Sequence, residues 1–185
     1  MRVIGGELRG RRLSAPVGPD VRPTSDRVRE SVFNILFSLG GVDGMQVVDL
    51  FAGTGALGIV ALSRGASSVT FVEQDVRALE SIRANLAAIG LADGESAGDT
   101  TVIRADADAW VAQTVSRYDL ALCDPPYHYQ GWEQLLPRLP ADLVVLESGA
   151  DLDLPEGWET LRTRRYGGTI VTVARPLRAI RKGVL

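Results

Sequence analysis

The residues best suited to do chemistry stand where Leu122-Cys123-Asp124-Pro125-Pro126-Tyr127 closes a short apolar run. Two consecutive prolines lack N–H donors and hold φ fixed, so they end a strand and stiffen the chain beyond it. Their carbonyls stay available as acceptors, Asp124 adds a second acceptor, and Tyr127 offers a flat ring. An exocyclic amino group on a purine needs this set. Its lone pair is delocalised into the ring, and acceptors on its two hydrogens draw the nitrogen toward tetrahedral geometry and localise the pair. An aromatic face also lets a base taken out of its stack restack. In isolation the same four residues describe a rigid turn with a surface tyrosine, so their setting decides between the two.

A second cluster supplies that setting. Val47-Val-Asp-Leu-Phe51 runs into Ala52-Gly53-Thr54-Gly55-Ala56-Leu57-Gly58 and then a helical stretch. This is a G-x-G-x-x-G with a strand before it and a helix after it, the context in which the motif lets a ligand approach the backbone. Dinucleotide binding fits it equally. Asp49, within the strand, suits a ligand bearing an ammonium group better than a pyrophosphate, which it would repel. Glu73 follows Gly55 by eighteen residues and closes the next strand, where it is placed to accept both hydroxyls of a ribose. Asp106 closes a third strand, within reach of an adenine amino group. Any one of these acids is an ordinary strand-end residue. Acids at the carboxyl ends of successive strands lie where open α/β sheets bind ligands.

The elements that position these residues follow from periodicity. Val28, Val32, Phe33, Ile35, Leu36 and Leu39 recur at helical spacing, predicting a helix capped by Thr24 or Ser25 and ended by Gly40-Gly41. Strands are predicted at Val47–Phe51, Val69–Glu73, Thr101–Arg104, Tyr118–Cys123 and Leu143–Glu147, with helical stretches between them. This alternation implies a parallel sheet covered on both faces. Glu159–Tyr166 and Thr169–Ala174, separated by Gly167-Gly168, predict a closing antiparallel hairpin. Ahead of the first helix, Arg2-Val-Ile and Leu8–Leu13 predict a small β-hairpin, followed by a proline-punctuated loop over Pro16–Pro23. Asp93–Thr100 reads as an exposed polar loop. The expected organisation is an arm and loop over 1–24 and one domain over 25–185.

Composition excludes several chemistries. Cys123 is the only cysteine and His128 the only histidine, which rules out an internal disulfide or a cysteine cage for a metal. No apolar run is long enough to span a bilayer, and the N-terminus lacks the apolar core of a signal peptide, so a cytoplasmic protein is expected. The net charge of −3 conceals a segregation: residues 1–30 carry +3, residues 162–185 carry +7 and the body between carries −13. Basic ends on an acidic body suit a phosphate backbone as partner.

Asp124-Pro-Pro-Tyr127 resembles motif IV of amino-methyltransferases, and Asp49-Leu-Phe-Ala-Gly-Thr-Gly55 resembles their motif I. Arg2-Val-Ile-Gly-Gly6, Gly10-Arg-Arg-Leu13, Arg22-Pro-Thr-Ser-Asp-Arg-Val-Arg-Glu30 and Asp49–Gly65 resemble the RsmD family, the bacterial 16S rRNA guanine-N2 methyltransferases. The resemblance implies the class I methyltransferase fold: a Rossmann-like α/β domain with a seven-stranded, mostly parallel sheet and an antiparallel C-terminal hairpin. It implies S-adenosylmethionine (SAM) as cofactor and a guanine of small-subunit rRNA as target, within an assembled or partly assembled subunit. Carried over by position, the cofactor residues are Asp49, Phe51, Gly53, Gly55, Glu73 and Asp106, and the catalytic ones Asp124, Pro125, Pro126 and Tyr127. Arg2, Arg9, Arg11, Arg12, Arg22 and Arg27 are the expected RNA contacts, no metal is expected, and a monomer is expected. The competing expectations are a DNA adenine-N6 methyltransferase, a non-catalytic rRNA-binding assembly factor and an NAD-dependent oxidoreductase. Asp49 and the intact Asp-Pro-Pro-Tyr disfavour the last two.

Overall fold

The computed structural model describes residues 1–14, 26–91 and 99–177. Helix α1 (Asp26–Ser38) buries Val28, Arg29, Val32, Phe33 and Leu36 along one stripe. After β1 (Gln46–Leu50) comes α2 (Ala56–Ser63), whose eight residues are all buried, as expected of a helix that is apolar all round. Strand β2 (Ser68–Glu73) leads to α3 (Val76–Ala88), and β3 (Asp99–Arg104) to α4 (Ala107–Gln113). Strand β4 (Tyr118–Cys123) is followed by the short α5 (Trp132–Leu135) and a single 3₁₀ turn, then β5 (Ala141–Ser148), β6 (Trp158–Tyr166) and β7 (Thr169–Pro176).

The seven strands form one sheet in the order β3-β2-β1-β4-β5-β7-β6. Strands β1 to β5 pair in parallel, and β7 pairs antiparallel with both β5 and β6. The expected mostly parallel sheet with a closing hairpin is therefore present. Successive residues of β1 face opposite layers: Val47 packs with α1, α2 and α3, whereas Val48 and Leu50 pack with α4 and α5. The chain leaves β1 toward β2 on one side and returns through β4 on the other, so a crevice opens where the winding reverses.

Two sequence expectations change. The N-terminal hairpin is reduced to one antiparallel bridge, Arg2 with Arg12. Gly5, Gly6 and Gly10 all hold positive φ, so the chain between the two runs winds through turns instead of extending. Asp99 and Thr100 belong to β3, paired with Ser68 and Val69, and not to a loop. The Pro16–Pro23 loop and the Thr24 or Ser25 cap lie outside the described residues.

The arm is built into the body. Val3 and Leu13 sit in the main core cluster. Ser63 Oγ donates to the Gly5 carbonyl at 2.7 Å and accepts from Leu8 N–H at 2.9 Å, while Asn85 exchanges two hydrogen bonds with the Ser14 backbone. A Cβ on Gly6 would lie 1.7 Å from the Ser63 carbonyl oxygen, so only glycine allows this approach. Among the described residues, no helix is long and apolar enough to cross a membrane.

Candidate active site

A cavity of about 1500 Å³ lies at the carboxyl ends of β1, β2, β4 and β5. Ordinary ligand pockets run to roughly 300–1,000 Å³, so this one has room for two partners side by side. The glycine loop after β1 and the Asp-Pro-Pro-Tyr turn after β4 face the same space.

On the β1–β2 side the three glycines do different work. A Cβ on Gly53 would meet nothing nearer than the Phe51 carbonyl at 3.9 Å, so this is where the backbone stays open to a ligand. Gly55, at φ 75°, precedes α2, and a Cβ there would press on Phe71 and Ile82 at 3.3 Å. A Cβ on Gly58 would strike Phe71 at 2.4 Å, which makes Gly58 the contact that lets α2 settle on the sheet.

Asp49 is fully buried, and its Oδ2 accepts the Gly58 N–H at 2.9 Å. Burial pushes its carboxyl well above the usual carboxylate range, the Gly58 hydrogen bond opposes this, and Asp124 and Glu73 add to it. Asp49 lines the cavity, and one of its oxygens also fixes the start of the helix through Gly58. Glu73 Oε2 accepts the Gly53 N–H at 2.8 Å, and its Oε1 accepts both Gln74 and Asp75 N–H at 2.8 Å. A carboxylate offers about four acceptor sites. The carboxylate is thus held in place by backbone donors while its remaining acceptor capacity faces the cavity.

Asp106 caps α4, accepting the Ala109 N–H at 2.9 Å, and is not among the cavity's lining residues. Tyr129 donates its hydroxyl to Asp108 Oδ1 at 2.5 Å. The Tyr129 ring lies edge-on to Phe51 and Trp132, each at 5.1 Å between centroids, and all three line the cavity. Phe51 adopts φ 58°, a conformation rare for a bulky residue and one that clusters at functional sites.

On the β4–β5 side Asp124 is half-buried, Pro125 buried and Tyr127 exposed, its hydroxyl 3.0 Å from Thr169 Oγ1. The Pro126 carbonyl already accepts the Tyr129 N–H at 2.8 Å. A carbonyl oxygen has two lone pairs, so both proline carbonyls remain candidate acceptors for a ligand. Cys123 is buried, and burial pushes its thiol far above its ordinary value, as for inert packing. His128 is exposed at the rim.

Two residues that sequence reasoning missed complete this side. Glu147, near the end of β5, is 4% exposed and lines the cavity. Burial and then Asp124 push its carboxyl up to about 9, while Arg29 pulls it back. Arg29 is 1% exposed and ion-paired to Asp26; burial lowers its pKa, and Asp26 and Glu147 oppose that. A signal existed for each: a charge on the apolar face of the first helix, and an acid closing the apolar run Leu143–Leu146.

The expected RNA contacts divide. Arg2, Arg9, Arg11 and Arg12 are exposed on the arm, where Arg2 donates to the Gly10 carbonyl and Arg11 to that of Ile89. Arg27 is exposed and reaches the cavity rim. Arg22 lies outside the described residues. Among the described residues, no cluster of acids, cysteine and histidine could hold a metal ion.

A sheet in this order, with its glycine loop after β1 and Asp-Pro-Pro-Tyr after β4, defines a SAM-dependent methyltransferase of class I. The family model described as conserved hypothetical protein 95 matches residues 1–175. The chain belongs to this family, the RsmD family. It is 36% identical over 162 residues to ribosomal RNA small subunit methyltransferase D of Escherichia coli K12, spanning 84% of this chain and 78% of that protein. The Haemophilus influenzae protein of the same name is 33% identical over 178 residues, with 90% and 89% covered. Among solved structures, a hypothetical protein of Thermus thermophilus superposes with a TM-score of 0.78 at 27% identity, covering 94% of this chain and 98% of that one. The fold alone is shared with the SAM-bound magnesium protoporphyrin IX methyltransferase of Synechocystis PCC 6803, at a TM-score of 0.63 and 20% identity over 81% of this chain and 78% of that one.

Proposed function

We propose that the chain methylates the N2 amino group of a guanine in small-subunit rRNA, acting on an assembled or partly assembled subunit. The observation that carries this reading is the placement of Asp124-Pro125-Pro126-Tyr127 across one cavity from the open Gly53 backbone. The names of the relatives supply the RNA.

The β1–β2 side fits SAM. Gly53 admits it to the backbone, Glu73 accepts a ribose hydroxyl, Asp49 holds the loop, Gly55 opens the helix, and Phe51 with Tyr129 gives an apolar wall. Asp106 acts there through its cap on α4. When bound, SAM supplies an electrophilic methyl group. The chain's own work is to hold the target nitrogen in line and reshape it. Asp124 and the Pro125 carbonyl accept the two amino hydrogens, and Tyr127 stacks on the base. The methylated nitrogen is acidic and sheds its proton without a strong base, so neither His128 nor Cys123 is needed. The exposed arginines of the arm and Arg27 contact phosphates, as do Arg162, Arg164 and Arg165 on exposed positions of β6.

The test is incubation with labelled SAM and separate pools of 16S rRNA, small subunits and DNA, followed by nucleoside analysis. N2-methylguanosine from rRNA or subunits is expected. N6-methyladenine from DNA as the sole product would replace this reading with its nearest rival.

A further inference from the structure

Glu147 has no part in the chemistry above, yet it is buried in the cavity wall with its carboxyl raised by that burial. Its Oε1 is sealed from solvent and has no hydrogen-bond partner among the described residues. A buried polar atom left in this state calls for a reason, and a ligand donor is one. The sheet register says which donor. Cys123 pairs with Leu146, so Asp124 and Glu147 leave adjacent parallel strands at the same level. Strands lie about 4.8 Å apart. Two acceptors on neighbouring strand ends match two neighbouring donors on one edge of a base, and guanine carries its N1–H beside its 2-amino group.

We infer that Glu147 is the specificity-determining residue: its carboxylate accepts the N1–H of guanine while Asp124 engages the 2-amino group, and buried Arg29 supplies the countercharge. This rests on the guanine-N2 reading of the cavity. The sealed oxygen meets an incoming base only once rotation about the last side-chain bond brings it to the cavity face. The donors that guanine brings favour the ionised carboxylate, adding to the pull Arg29 already exerts. An ionised carboxylate only accepts. A purine with the same 2-amino group but a bare N1 lone pair brings no such donor. Above pH about 9, where the carboxyl is ionised even in the empty site, it meets Glu147 acceptor to acceptor, so the comparison is made above that pH. The competing account makes Glu147 a structural neighbour of Arg29, with no influence on which base is taken.

The experiment compares guanine with 2,6-diaminopurine, which keeps the 2-amino group and lacks the N1–H. Small subunits are reconstituted with 16S rRNA ligated to carry either base at the position the unaltered enzyme methylates, mapped beforehand. Initial rates are measured for the unaltered enzyme and for Glu147→Gln, whose amide both donates and accepts. SAM affinity of both is read by calorimetry as a check on folding. The unaltered enzyme should prefer guanine by on the order of a hundred-fold or more, as sites built on a substrate hydrogen bond do. Glu147→Gln should bring that preference to about ten-fold or less, because the amide can donate to the bare N1. Effects of the altered base on the RNA itself are common to both enzymes and cancel in the ratio. An unaltered enzyme that methylates both bases equally overturns the inference without any variant, and an unchanged preference in Glu147→Gln overturns it too. A Glu147→Gln protein that has lost SAM affinity assigns the residue to structure and also overturns it. An unaltered enzyme that forms no N2-methylguanosine fails earlier and sinks the underlying reading.

Discussion

On the β1–β2 side of the cavity, the acids already hold backbone N–H groups. Asp49 has that of Gly58, and Glu73 has those of Gly53, Gln74 and Asp75. On the β4–β5 side, Glu147 is buried with an unpartnered oxygen, and the Arg29 charge that opposes it is buried as well. The first side is largely hydrogen-bonded before a ligand arrives, although buried Asp49 carries a desolvation cost of its own. The second side carries an electrostatic cost in the empty state, and polar groups of a ligand can relieve it. A cofactor common to many enzymes needs only a rigid seat. A single base drawn from RNA needs a site that gains from the right donors and loses from the wrong ones.

The sharpest way to break this contrast is Asp124→Ala. We predict a loss on the order of a hundred-fold or more in turnover, the scale for an unpolarised or misplaced reacting group, with SAM affinity nearly unchanged by calorimetry. A fully active Asp124→Ala enzyme would show that the two sides are not divided as described. Glu73→Ala is the mirror image. It frees the Gly53, Gln74 and Asp75 amides and one ribose contact, so SAM affinity should fall by about ten-fold or more while turnover at saturating SAM falls much less. Loss of turnover with affinity intact would reverse the assignment of Glu73.

A third prediction concerns stability. The folded-state pKa of Glu147 is raised to about 9, so the native protein keeps a proton that the unfolded chain gives up above its ordinary value of 4.5. Proton release then favours unfolding, and the native state loses stability as pH rises from about 4.5 to 9. Glu147→Gln removes that dependence. Melting curves of the empty protein at pH 8 should place the variant above the unaltered chain, by roughly 2–4 °C for each ~1 kcal/mol relieved in a chain of this size. Parallel melting curves of the two proteins across pH 5–8 would remove Glu147 as the strained group. The smallest effect is expected from Cys123→Ala, since the thiol is buried packing: activity within about a few-fold, with a modest loss of stability from the small cavity. A folded, SAM-binding but inactive Cys123→Ala protein would force a covalent mechanism.

The sheet, its layers and both motifs were legible in the sequence because periodicity and motif context each report a local constraint. Val47–Phe51 before a glycine loop and the apolar spacing of Val28, Val32 and Leu36 are visible without a partner. What escaped depends on partners distant in sequence. Glu147 and Arg29 are 118 positions apart, and nothing in either neighbourhood says that they share one cavity. Asp106 poses a related difficulty. A strand-end acid that caps the next helix and one that meets a ligand have the same local signature, and only the cavity lining separates them. The N-terminal hairpin is present but short, since three positive-φ glycines consume the residues that would have extended it.

The position of β6 at the end of the sheet carries one more consequence. An outer strand presents unpaired N–H and C=O groups along its free side, a ready template for a strand from another molecule. Here that strand is nine residues long, enough to recruit a neighbour, yet Arg162, Arg164 and Arg165 stand exposed along it. Two copies brought edge to edge would set these cations against one another. These arginines therefore oppose edge-to-edge pairing of two sheets, and trading them for neutral residues would remove that repulsion.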